Sequence, residues 1–63
     1  MKDFDIIEKS SISNESYSDA VKNALKNIKE EVHWFEVVDL RGRVTKDNMI
    51  EFQVVIKAGC SKS

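Results

Sequence analysis

Few side chains in this sequence have the chemistry for more than packing. The single histidine, His33, is the one candidate base. No nucleophile stands near it in sequence, so a solvated or interface role is expected. The single cysteine, Cys60, lies near the C-terminus with only Lys62 to supply the basic surroundings that a reactive thiol needs, and it reads as a bystander. One cysteine and one histidine fall short of a structural zinc site. Glu15, Asp19, Glu30 and Glu31 show no metal-ligand spacing. Two glycines cannot build a phosphate-cradling loop. The expectation is therefore no catalytic residue, no metal ligand and no enzyme. Three further side chains have chemistry to weigh against plainer roles. Trp34 offers a large flat ring, and Gln53 an amide that both donates and accepts. Arg41 offers a permanent forked cation suited to phosphate or carboxylate. Each has a plainer alternative. Trp34 is the type of residue that anchors subunit contacts, Gln53 on an outer sheet face is commonly just solvated, and Arg41 or Arg43 can pair with Glu36 or Asp39 across a subunit boundary.

The elements that must hold these residues follow from the periodicity. Residues 3–9 alternate as a short strand with Phe4 and Ile6 inward. Residues 10–16 are polar and read as a loop. Tyr17, Ala20, Val21, Ala24, Leu25 and Ile28 form one helical stripe opposite Lys22, Asn23, Lys26 and Asn27. Ser16 is placed as the N-cap, Asp19 lies in the first turn, and the helix is expected to reach Glu31. From Val32 the period becomes two, with Phe35 and Val37 on one face and Trp34, Glu36, Val38 and Leu40 on the other. Gly42 is expected to mark a bulge or bend, and Thr45 to Asn48 supply turn chemistry. The last strand turns Ile50, Phe52, Val54 and Ile56 inward and Glu51, Gln53, Val55 and Lys57 outward, and is expected to end at Gly59. The order is β-α-β-β, an α+β class. A right-handed crossover leaves the first and second strands parallel, with the third between them and antiparallel to both. One sheet face packs on the helix. The other carries Trp34 and Gln53 together with apolar side chains that need a cover, either another subunit or a ligand.

Size and charge narrow the class. Residues 1–63 are read as one domain. Apolar burial of about 95 kcal/mol is matched by an ordering cost of about the same size, so the isolated fold comes out near zero stability. With no disulfide or metal available, oligomerisation is the expected support. Ten basic and eleven acidic residues leave no electrostatic footprint for nucleic acid. No apolar run approaches a membrane span. The acidic N-terminus and lone thiol point to the cytoplasm.

The stretch Trp34-Phe35-Glu36-Val37-Val38-Asp39-Leu40-Arg41-Gly42, followed by Glu51-Phe52-Gln53-Val54, resembles the dodecins, small β-α-β-β proteins that bind flavin and assemble as hollow dodecamers. The Phe4-Asp5-Ile6-Ile7-Glu8 strand and a helix starting near Ser16 fit the same pattern, so the resemblance spans nearly the whole chain. It implies a homo-oligomer in which Trp34 stacks on the isoalloxazine ring, Gln53 hydrogen-bonds the polar edge of the ring, and Arg41 reaches phosphate groups of FMN or coenzyme A. Riboflavin and FMN are the implied flavins, and storage or sequestration is the implied role. Three features depart from the family pattern. The segment Ile28 to Trp34 is about one helical turn short, Ser11-Ile12-Ser13 replaces the usual Gly-Thr-Ser, and the tail after Ala58 stops early, with Cys60 and Ser61 where an aromatic and a basic residue are expected. The alternative reading is a dodecin-fold shell without flavin, structural or holding another small ligand.

Overall fold

The structure is a computed structural model and describes residues 4–61. The predicted strand start at Asp3 and the tail residue Lys62 lie outside them. Strand β1 (Phe4–Ser13) is followed by helix α1 (Tyr17–Lys26), strand β2 (Val32–Val44) and strand β3 (Ile50–Ser61). The sheet order is β1-β3-β2, and β3 runs antiparallel to both neighbours. This is the β-α-β-β arrangement expected from the periodicity.

The helix begins as the sequence dictates. The Ser16 hydroxyl accepts the Asp19 N–H at 3.0 Å. Ser13 at the end of β1 donates to the Asp19 carboxylate at 2.7 Å and accepts the Glu15 N–H, so strand end and helix start are tied through one hydroxyl. The helix is shorter than expected. It ends at Lys26, where the Asn27 and Ile28 N–H groups bond to the carbonyls three residues back and close the last turn tightly. Ile28 still reaches the core from beyond the helix end. Ala20 and Ala24 are fully buried, and their small side chains let the helix lie close on the sheet. Opposite them β3 buries Val54, Ile56, Ala58 and Cys60, with Ile7, Val21, Leu25 and Val32 packed around.

Several expectations are corrected. β1 extends through Ser13 instead of giving way to a loop at Ser10, because each of these residues pairs with β3. Phe4 and Ile6 do not face the helix. Phe4 pairs with Ser61 and Ile6 with Gly59, on the outer face, and it is Ile7, paired with buried Ala58, that points inward. β3 does not stop at Gly59 but continues to Ser61, which donates its N–H to the Glu31 carbonyl. Gly42 pairs regularly with Phe52. The register instead shifts between Val32 and Trp34 and between Val37 and Asp39. Each bulge inserts one extra residue, His33 and Val38. The second reverses the alternation, so Leu40 pairs with buried Val54 on the helix side while Asp39, Arg41 and Arg43 join Trp34 on the outer face. The turn between β2 and β3 is held by Thr45 and Met49, with Asn48 in the left-handed region at φ 61°.

The helix crosses β1 and β3 and leaves β2 largely bare. Phe35, Val37, Leu40 and Val44 on the helix side of β2 are 41–66% exposed. The molecule is elongated, 50 × 17 × 14 Å. Its radius of gyration is 13.3 Å against about 11 Å for a compact chain of this length. It exposes 4815 Å², where about 4,100 Å² is the norm for this mass.

Candidate functional site

The outer sheet face is a ladder of cross-strand rows. At one end His33, Phe4 and Ser61 meet: the His33 ring lies edge-on to Phe4 with centroids 5.3 Å apart, and its Nε2 is 2.6 Å from the Ser61 hydroxyl. Next come Ile6, Gly59 and Trp34, then Glu8, Lys57 and Glu36, then Ser10, Val55 and Asp39, then Ile12, Gln53 and Arg41, and last Glu51 and Arg43.

Trp34 is 44% exposed. Its indole lies over Gly59, so closely that a Cβ added there would overlap Cε2, Nε1 and Cζ2 of the ring. Gly59 thus acts as a seat for the indole, which stays partly exposed above it. Glycine in a strand interior is a known sign of such close approach, and Gly59 carries that signal in the sequence beside its expected role as a strand end.

Gln53 and Arg41 are direct cross-strand partners. Gln53 lines a shallow concavity of about 250 Å³ with Ile12, Arg43 and Glu51. Arg41 donates through Nε to the Asp39 carboxylate at 2.8 Å, and Arg43 does the same to Glu51 at 2.6 Å. The pairing foreseen between subunits for Arg41 is therefore made within the chain. Trp34 is not brought to the other two. Gly59 and Gln53 are six residues apart along β3, about 20 Å at the strand rise. That is further than one flavin ring system reaches, so one chain carries the two halves of such a site separately.

Cys60, read from the sequence as a bystander near the chain end, is a core residue. It is fully buried in the core, and burial, followed by the Glu30 and Asp5 carboxylates, pushes its thiol above the ordinary value. Among the described residues no group of three or more His, Cys, Asp or Glu is placed to hold a metal ion. No helix among them is long and apolar enough to cross a membrane.

A short helix on a three-stranded antiparallel sheet, with an exposed tryptophan and a polar pocket on the free face, defines a small binding module. The dodecin family model matches residues 4–62. The chain belongs to the dodecin family. It is similar to a Thermus thermophilus protein of known crystal structure, with 28% identity and a TM-score of 0.84 over 100% of this chain and 97% of that one. Tryptophan-to-phenylalanine and arginine-to-alanine variants of the T. thermophilus dodecin match at 27% identity and a TM-score of 0.83, over 100% of this chain and 98% of theirs. Their two substituted positions are spaced as Trp34 and Arg41 are here. The dodecin of Streptomyces davaonensis shares the fold, with 23% identity and a TM-score of 0.83 over 98% of this chain and 96% of that one. No curated protein matches the chain. Dodecins are small binding proteins without enzymatic activity, known for flavin binding and for forming homo-oligomers.

Proposed function

We propose that the protein stores or sequesters flavin, riboflavin or FMN, in a homo-oligomeric shell of the dodecin type. The observation that carries this reading is Trp34, half-exposed on the outer sheet face and seated on Gly59. Stacking on that indole would hold the isoalloxazine and offer a fast quenching route for its excited state. Gln53, in its concavity, suits the mixed donor and acceptor edge of the ring. Because Trp34 and Gln53 lie about 20 Å apart in one chain, a complete site takes Trp34 from one subunit and Gln53 from another. Arg41 would serve the phosphate of FMN, or of coenzyme A as a further ligand. A dodecamer and a cytoplasmic location belong to the same reading.

The test is titration of the purified assembly with riboflavin and FMN, followed by visible absorption and flavin fluorescence. Both ligands should be taken up and quenched. Trp34→Ala should weaken binding by about 2–4 kcal/mol, the area and stacking of a buried aromatic, and should restore fluorescence to whatever remains bound. An intact assembly that takes up neither flavin would refute the reading and favour a shell for another ligand.

A further inference from the structure

Arg41 does not stand free on the outer face. Its Nε is held by Asp39 at 2.8 Å, and both groups are exposed, with 69% and 40% of their side chains accessible. The neighbouring Arg43 is held in the same way by Glu51. The four charges around Gln53 therefore sum to zero, and a phosphate approaching Arg41 meets a carboxylate already in contact with the guanidinium. This arrangement follows from the Val38 bulge. The extra residue turns Asp39 to the outer face together with Arg41, two positions apart on one strand and on one side. We infer that Asp39 is the specificity-determining residue of this site: it competes with the ligand phosphate for Arg41 and so sets how far the site distinguishes FMN from riboflavin. The inference rests on the flavin reading above.

The physical basis is simple competition. Only Nε of Arg41 is used by Asp39, so the remaining guanidinium donors can still meet an anion. The carboxylate nevertheless cancels much of the attraction and repels a dianionic phosphate directly. An exposed pair of this kind contributes little to stability, so its removal should leave fold and assembly intact. Asp39→Asn keeps the shape and one acceptor oxygen while deleting the charge.

The experiment compares riboflavin and FMN affinities of the wild-type assembly with those of Asp39→Asn, and of Arg41→Ala and the double variant, at low and at physiological salt. Sedimentation confirms assembly in each, and Asp39→Ser serves as a second substitution if the first fails to assemble. Asp39→Asn should raise FMN affinity about threefold to tenfold at low salt, as expected for freeing one exposed guanidinium and removing one like charge. Riboflavin affinity should not move, and the gain should fall as salt rises. The gain should vanish in the Arg41→Ala background. Flavins that bind with an unchanged FMN-to-riboflavin ratio in Asp39→Asn, or a gain that survives Arg41→Ala, would overturn the role of Asp39 alone. A wild-type assembly that binds neither flavin would overturn the flavin reading and the inference with it.

Discussion

Gly59→Ala separates the fold from the ligand platform. The Gly59 backbone does not lie in the left-handed region, so alanine is allowed there, and in a strand interior it is favoured over glycine by about 0.5–1 kcal/mol. Against this, the new methyl would overlap three atoms of the indole. The ring must retreat by at least about 1 Å to restore ordinary carbon contact of 3.5–4.0 Å. In the isolated subunit the indole can lift away from Gly59, since Trp34 is 44% exposed. The two effects on stability should then largely cancel, with a net change below about 1 kcal/mol. A ligand stacked on that ring has no such freedom. The lifted indole intrudes on it, an overpacking cost of about 1–3 kcal/mol, or roughly 5- to 150-fold in affinity. The assay is flavin fluorescence titration beside near-ultraviolet circular dichroism, in which the only tryptophan of the chain reports on its own surroundings. Unchanged flavin affinity together with an unchanged tryptophan signal would refute the seating of Trp34 on Gly59 as a determinant of binding.

Gln53→Ala should weaken riboflavin and FMN equally, by about 1–3 kcal/mol for polar ring atoms left unmatched, whereas Arg41→Ala should weaken FMN selectively; equal losses in Arg41→Ala would leave that residue a structural partner of Asp39. Cys60 should resist thiol reagents in the native assembly and react fully on unfolding, because burial disfavours its thiolate. The folded-state pKa being raised, the unfolded chain binds fewer protons above about pH 8.5, so the Cys60 contribution should lower stability as pH rises beyond that point. A Cys60→Ala assembly with the same alkaline stability slope as wild type would argue against it.

The sequence carried the helix stripe, the Ser16 cap, the turn after Val44 and the inward set Phe52, Val54 and Ile56 clearly, because each is a local pattern with one period. What it hid was parity. Alternation along β2 puts Trp34 and Arg41 on opposite faces, and only the unpaired Val38 brings them to one side; nothing about a valine among valines announces a bulge. Phe4 and Ile6 were misread for a related reason. Apolar residues are expected to seek the helix, yet one end of the outer face, at Phe4, Ile6 and Trp34, is apolar too and stays exposed among the described residues. Trp34 and Gln53 were correctly placed on that face. The distance between them was not legible, since it depends on the register of β2 against β3 and not on either strand alone. The role of Gly59 is open to inference from its type, and a pair between Arg41 and Asp39 is too; what the sequence does not carry is that this pair forms within one chain and that Arg43 takes Glu51.

The bare inner side of β2 is where folding would depend on the number of chains present. Phe35, Val37, Leu40 and Val44 are covered by no part of their own helix, so the energy of burying them exists only in company. In a family that forms homo-oligomers, mass action then enters the unfolding equilibrium. The melting temperature of such an assembly climbs with total protein concentration, and a ligand bound between subunits would raise it further, by a stabilisation that grows as the logarithm of one plus its concentration over Kd. For such an assembly, dilution and ligand depletion would act on the fold as a denaturant does.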